Sequence, residues 1–592
     1  MTRMPRVRFI GRAKPVHTTS EPHPSGKPNR GGAGGEVRRS ARNGVIGLAG
    51  AAVSGIAGFA LAVVITRGFG TAGAGAFFTA IGLFTMVGAI CCLGADTALV
   101  WALPRRRPEL EKVSETWATA RGRIPIDVVE WFSKPRTLYS LPLESQAPPV
   151  RASTVFSSGK SIAAPGRVAG ARLLPVALIP PVVTATLVGV GGVILAPTLA
   201  PRVIDDSSEA VTLLRLTFAA VPALVIMTIL LAAVRALRPI SSYVTVQFLL
   251  LPLSRPILIA AVAAMGGGLV IGMGGWLAPV LVALVVCAGF LLNEFWGVLF
   301  TRGRTRRASL RPERGDWRTL WGFALPRAVS AAIDSSSMWV GVVMTAALAG
   351  PAQAGVFGAV GRYVLAGQLA MQGLRVAVAP QLSRLLGADR RDDAAAVHRQ
   401  TTTWILMLSW PVYLLLAAFA PGFLWLFGRE FTEGATALTV LSIAMLLKVG
   451  LGNVQTLLLM SGGSAQHMAA TVIGLASTVT LGLVLIPDHG AVGAAMAWAV
   501  GIAMENSICA VAARRAVGRP LLSRTLLLTA VGVVLAVGGV CAAVIPLIGR
   551  EVTGLAVALA VLAVGVALSL THRAVRAAVR RALATLRARP AA

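Results

Sequence analysis

A chain of 592 residues that is 55% hydrophobic and 13% charged, with a mean hydropathy of +0.74, lacks the polar surface of a water-soluble globule, so lipid must supply much of its solvent. The formal net charge of +31 invites a nucleic-acid reading, but the basic residues lie between apolar segments rather than on one face of a soluble domain. With 6% aromatic residues and four Tyr the chain also makes a poor base-stacking surface, and nucleic acid is excluded as a partner.

Segment 1–43 carries ten Lys or Arg among Pro, Gly and Ser and lacks the apolar core and cleavage site of a secretory signal, so it reads as a disordered cytoplasmic tail. A membrane-crossing helix needs about 20 apolar residues, and fourteen segments qualify. In a first lobe, 44–300, they run over 44–66, 75–103, 173–200, 211–237, 241–264 and 277–300. A basic cytoplasmic linker at 301–318 leads to a second lobe, 319–513, with segments 319–348, 354–386, 401–427, 434–460, 466–486 and 491–513. Two more, 525–548 and 552–570, fall within 514–570, and a basic cytoplasmic tail occupies 571–592. The expected fold class is all-α, a polytopic membrane protein of fourteen transmembrane helices.

Orientation has its own signal, because Lys and Arg collect in cytoplasmic loops and are scarce in short translocated ones. With the tail inside and the segments alternating, 43 of the 55 basic residues fall on the cytoplasmic side, and only Arg67, Arg202, Arg429 and Arg550 fall outside. One segment too many or too few would turn the cluster from Arg302 to Arg318 outward. Charge thus supports the even count independently of hydropathy, and it predicts a cell-membrane protein with both termini in the cytoplasm.

The one long connection, an insertion at 104–172, has the Pro, Ser and charge content of a mobile cytoplasmic segment. Its Ser158-Gly159-Lys160-Ser161 superficially resembles a phosphate-binding loop, but Thr154 stands where that motif needs its first glycine and no buried strand precedes it. The five cysteines lie in apolar stretches. His17, His23, His398, His467, His489 and His572 read as tail and loop residues with no shared ligand spacing, so no metal site is expected.

Residues 70 to 77, Gly-Thr-Ala-Gly-Ala-Gly-Ala-Phe, match residues 350 to 357, Gly-Pro-Ala-Gln-Ala-Gly-Val-Phe, at five of eight positions. Both stretches precede an even-numbered segment that runs unusually long and ends near a proline, Pro104 or Pro380, before a basic loop. The plainer reading is coincidence in Ala- and Gly-rich sequence; the shared place in the topology favours an internal duplication of six segments. Copies with an even number of segments have the same orientation, related by an axis along the membrane normal.

Three stretches then carry a resemblance: Trp321-Gly322-Phe323-Ala324-Leu325-Pro326, Ala354-Gly355-Val356-Phe357, and Ala379-Pro380-Gln381-Leu382-Ser383. Leu426-Phe427-Gly428, Ile486-Pro487 and Gly490-Ala491-Val492-Gly493-Ala494-Ala495 add to it. Over about residues 44–570 the chain resembles the multidrug, oligosaccharidyl-lipid and polysaccharide exporter superfamily, especially its polysaccharide flippase branch. The resemblance implies two pseudo-symmetric six-helix lobes around a central cavity, two extra carboxy-terminal helices, and movement of a lipid-linked sugar from the inner to the outer leaflet. The long insertion departs from the short connection usual there.

A charge at the centre of a spanning helix costs about 3 kcal/mol on insertion scales, so it normally faces protein or water. Arg235 and Arg384 sit near cytoplasmic ends and can snorkel. The deeper cations are Arg215, Arg255, Arg327, Arg362, Arg375 and Lys448, candidate substrate ligands; the carboxylates Asp96, Glu294, Asp334 and Glu505 are candidates for coupling or charge pairing. The positive excess suits an anionic pyrophosphate head, which a guanidinium grips with paired hydrogen bonds. Each carboxylate has a plainer reading as a neighbour's structural partner. Pro222, Pro252, Pro256, Pro326 and Pro411 are candidate hinges or static kinks.

The expected activity is transport of a polyprenyl-pyrophosphate-linked oligosaccharide by alternating access, without covalent chemistry or a cofactor, and with a proton or a sodium gradient as the candidate driving force. Membrane lipids and a polysaccharide polymerase or glycosyltransferases are the expected partners. Alternatives are a peptidoglycan lipid-precursor flippase, a drug or ion antiporter, and a membrane scaffold of a polysaccharide synthesis complex.

Overall fold

The computed structural model describes residues 30–103, 165–299 and 312–571. Most of the amino-terminal tail, the body of the insertion, residues 301–311 of the basic linker and nearly all of the carboxy-terminal tail lie outside the described residues. With them fall Pro104, the Ser158-to-Ser161 tetrapeptide, His17, His23 and His572.

The described residues contain helices and turns and no strand. The N-lobe comprises α1 (Arg30–Cys91), α2 (95–103), α3 (Pro165–Val203), α4 (Ser208–Ala219), α5 (Val221–Leu237), α6 (Ile240–Val244), α7 (Leu251–Ala264) and α8 (Leu269–Leu299). The C-lobe comprises α9 (Arg314–Ala366), α10 (Leu369–Gly387), α11 (Arg391–Ala418), α12 (Ala420–Leu424), α13 (Ala435–Leu451), α14 (Val454–Met460) and α15 (Ser464–Val517). Then follow α16 (Arg524–Val533), α17 (Gly539–Ile548) and α18 (Val552–Thr571). Several boundaries differ from expectation: α1 begins inside the segment read as a disordered tail, α3 inside the insertion, α9 inside the basic linker, and α11 ten residues before its expected start. Each prolongs a spanning helix beyond its apolar segment, since a helix already nucleated propagates without an apolar face.

Ten helical runs among the described residues are long and apolar enough to cross a membrane, where fourteen segments were expected, and Val552–Leu568 is a shorter apolar helix. Part of the difference arises because some runs fold back on themselves at a glycine. α1 kinks at Gly70 (φ 66°), α9 at Gly350 (φ 86°) and α15 at Gly490 (φ 51°), conformations in which a Cβ would be strained. The arms of α9 lie antiparallel, with Gly341 against Phe357 and Gly361 against Met338. Those of α15 do the same: Thr471 Oγ1 reaches Glu505 Oε1, and a Cβ on Gly493 would lie 2.2 Å from Leu485 O.

The equivalent kinks at Gly70 and Gly350 lie where the sequence repeat begins, and the repeat is visible again at the seam between lobes. A Cβ on Gly75 would lie 1.6 Å from Pro351 O, and one on Gly355 would lie 2.2 Å from Thr71 O. Thr71 and Pro351 are themselves equivalent positions of the repeat, so the two contacts are reciprocal, as a pseudo-two-fold axis at the seam requires. Only glycine allows this backbone-to-backbone approach, the means by which helices associate in lipid without a hydrophobic driving force.

The kinks mark one face of the molecule. There Arg67 donates to Trp425 O and Leu426 O, and Arg550 donates to Ala417 O and Ala418 O. Two of the four basic residues expected outside are thus engaged by backbone carbonyls at or just beyond helix C-termini. On the opposite face, which bears the insertion, Arg172 bridges the lobes with Nη2 2.8 Å from both Glu313 and Asp316, and Trp101 stacks on Phe323 at 4.5 Å.

Candidate functional site

Helix breaks position a polar crevice in the C-lobe. α9 and α10 are separated at Gly367 and Gln368, where the Tyr413 ring fills the space a side chain on Gly367 would need. α13 and α14 are separated at Gly452 (φ 68°) and Asn453; a Cβ on Gly452 would lie 2.1 Å from Thr402 Oγ1. Asn453 Nδ2 donates to Met371 O, tying one break to the other. Between them Gln372, Arg375, Lys448, Gln455 and Asn506 line one crevice. Beside it Glu505 accepts from Gln455 Nε2 at 3.0 Å and from Thr471 Oγ1 at 3.2 Å, so this carboxylate is held by neutral donors. Arg375 is exposed and has no carboxylate partner among the described residues.

An equivalent crevice in the N-lobe, of about 240 Å³, is lined by Asp96, Thr97, Thr228, Arg235, Tyr243 and Gln247. The break between α1 and α2, with Leu93 and Gly94 at positive φ, presents Asp96. Gly94 packs so closely on α9 that a Cβ would lie 2.5 Å from Ala324 O. Arg235 lies over the Tyr243 ring at 5.1 Å. It belongs to the crevice rather than merely snorkelling, because the chain turns at Arg238 and brings Tyr243 and Gln247 back beside it.

Two arginines sit on aromatic faces. Arg255 Cζ lies 4.0 Å from the centroid of Trp276, which is edge-on to Phe84. Arg362 Cζ lies 5.1 Å from Trp339 and 5.2 Å from Phe78, at the seam between lobes. Both Nε atoms are buried without a hydrogen-bond partner, while each residue keeps partial exposure. A desolvated cation–π contact offers about 2 kcal/mol, against about 3 kcal/mol for a mid-membrane charge. The rings therefore offset much of the cost of these charges but not all of it, which leaves a gain for an incoming anion.

The remaining candidates scatter. Arg215 is exposed on α4, away from both crevices. Glu294 pairs with Arg238 at 3.5 Å. Arg327 and Asp334 both lie on the first arm of α9, but their side chains are outside the described residues. Arg255 and Arg375 lie in different lobes: one packs on Trp276, the other lines the C-lobe crevice. His398 is no loop residue. It is 2% exposed within α11, near Thr402 beneath the Gly452 break. Sequence reasoning also missed Gln372, Asn453, Gln455 and Asn506, although amides and a Gly-Asn pair inside apolar segments were a legible signal.

Two solved structures share this fold. An inward-facing multidrug resistance MATE family transporter of the MOP superfamily aligns with a TM-score of 0.56 at 14% identity, covering 78% of this chain and 94% of that one. The lipid II flippase MurJ, in an inward closed conformation, aligns with a TM-score of 0.57 at 10% identity, covering 84% of this chain and 92% of that one. The chain has the MOP transporter fold. The family model MatE matches residues 326–487, which run through α9 to α15 and include the C-lobe crevice residues Arg375, Lys448 and Asn453. No curated protein matches the sequence. In this MOP fold the two crevices fall in equivalent places of the two lobes, between the second and fourth crossings of each.

Proposed function

We propose that this membrane protein is a flippase for a polyprenyl-pyrophosphate-linked oligosaccharide, carrying it from the cytoplasmic to the external leaflet of the cell membrane for polysaccharide synthesis. The insertion face is the cytoplasmic one. The observation that carries the reading is the pair Arg255 and Arg362, half-buried on aromatic rings without a carboxylate partner among the described residues, with Arg375 and Lys448 in the C-lobe crevice. Cations held at this cost in apolar helices suit a phosphorylated head group, which an arginine binds with charge-assisted hydrogen bonds.

Two other readings have support of their own. The likeness to the lipid II flippase makes a peptidoglycan precursor a second candidate, and it shares the same chemistry, a sugar on a pyrophosphate lipid. The likeness to a multidrug transporter makes drug efflux a third; a cationic drug would find Asp96 in the N-lobe crevice but would be repelled by the seam arginine. The test is reconstitution in liposomes with a fluorescent lipid-linked oligosaccharide, a lipid II analogue and a cationic dye in parallel. Faster transbilayer movement of the oligosaccharide lipid than in empty vesicles is expected. Movement of the dye alone would replace the proposal with drug efflux.

A further inference from the structure

We propose that a slot between α11, α13, α14 and α15 at the insertion face binds one acyl chain of an anionic glycerophospholipid whose phosphate rests on Arg514 and Arg515. The slot has a volume of about 250 Å³ and is walled by Gly450, Leu451, Val454, Ala510 and Leu521, with Thr402 and Arg514 the only polar side chains that line it among the described residues. It falls just below the about 300–1,000 Å³ of pockets that take a whole drug-sized ligand, a size suited to a stretch of one hydrocarbon chain. Its mouth carries Val511 and Leu522, 50% and 54% exposed, a surface that lipid covers in a membrane.

Charge identifies the occupant. Arg514, Arg515 and Arg524 are exposed around the 518–523 turn and have no carboxylate partner among the described residues. Arg519 is paired with Asp392 at 2.6 Å, and Arg399 holds the turn by donating to Pro520 O. A cationic rim over an apolar slot at the ends of spanning helices matches a lipid with an anionic head. The chain's own basic tail and linker would be repelled by it, and a zwitterionic lipid has no net charge to offer. The floor of the slot is the stretch just before the Gly452 break, so an acyl chain seated there would brace the helix pair that presents Lys448 and Asn453. This site stands independently of the transported substrate.

Native mass spectrometry of the full chain in detergent tests it, with phosphatidylglycerol, phosphatidylcholine and glycerol 3-phosphate as probes. Phosphatidylglycerol should be retained about tenfold more than phosphatidylcholine, and Arg514→Ala with Arg515→Ala should abolish that preference. Arg514→Lys should keep it. Val511→Trp on α15 and Leu522→Trp in the turn should each displace the lipid, so a folding fault in one leaves the other to decide. Equal retention of the two lipids, retention of glycerol 3-phosphate as tight as phosphatidylglycerol, or undiminished binding in both Trp variants would overturn the proposal.

Discussion

The two crevices occupy matching places in the two lobes and differ in charge. In the N-lobe, Asp96 shares its crevice with Arg235, Tyr243 and Gln247, so acid and base are present together. In the C-lobe, Arg375 and Lys448 share theirs with the amides of Gln372, Asn453, Gln455 and Asn506. What the lobes have in common is backbone: a kink at Gly70 or Gly350, a broken second crossing, and reciprocal glycines at the seam. What differs is side-chain chemistry. The comparison teaches that geometry is required of both halves for them to move as partners, whereas substrate charge need be read by only one.

The shared part is the easiest to break. Gly75→Ala and Gly355→Ala each force a methyl group into a neighbouring carbonyl, and overpacking of this kind costs about 1–3 kcal/mol. Both variants should therefore lower the melting temperature of the purified protein and slow transport, by similar amounts. Unequal effects would show that the seam is symmetric in geometry alone. The divergent part comes next. Arg375→Ala should reduce liposome flux of an anionic lipid-linked glycan by about tenfold or more at unchanged expression, since hydrogen bonds to charged groups are worth about 1.5–3 kcal/mol; Asp96→Ala should leave selectivity for the anion intact. Full activity of Arg375→Ala would remove the cationic crevice from the substrate path.

Smaller effects sharpen the contrast. Trp276→Leu takes away the aromatic seat of Arg255 and should slow flux by about tenfold while the helices stay packed, and Trp339→Leu should do the same through Arg362. Transport indifferent to both substitutions would reduce these arginines to structural elements. Smallest is the N-lobe pair: Asp96→Asn, Arg235→Gln and the double variant should give a coupling of a few tenths of a kcal/mol in thermal stability, because the guanidinium is exposed and screened. Strict additivity would show that the two groups act separately.

Much of the fold was legible because lipid imposes a one-dimensional rule: each crossing must be apolar over its length, and loop charge follows the side of the membrane. The repeat was legible for a similar reason, since Gly70, Gly75, Gly350 and Gly355 are places where only one residue type fits. The candidate site was legible in part. A charged residue in an apolar run announces itself, so Arg255, Arg362, Arg375, Lys448, Asp96 and Glu505 could be picked out individually. Which of them face one another could not, because a helix of unknown rotation and tilt gives no partner to its side chains. Arg235 illustrates this: near the end of its helix it looked like a snorkelling residue until the turn after Arg238 returned Tyr243 to its side.

By itself, then, the sequence determined a helical membrane protein of duplicated halves with surplus positive charge in its crossings, since hydropathy, loop charge and glycine spacing are properties of the chain read along its length. Only the tertiary structure decided that Arg255 and Arg362 rest on aromatic rings, that Arg375 joins Lys448 beside two helix breaks, and that Arg238 claims Glu294. Those assignments depend on which faces of distant helices meet, and that is set by packing summed over the whole bundle.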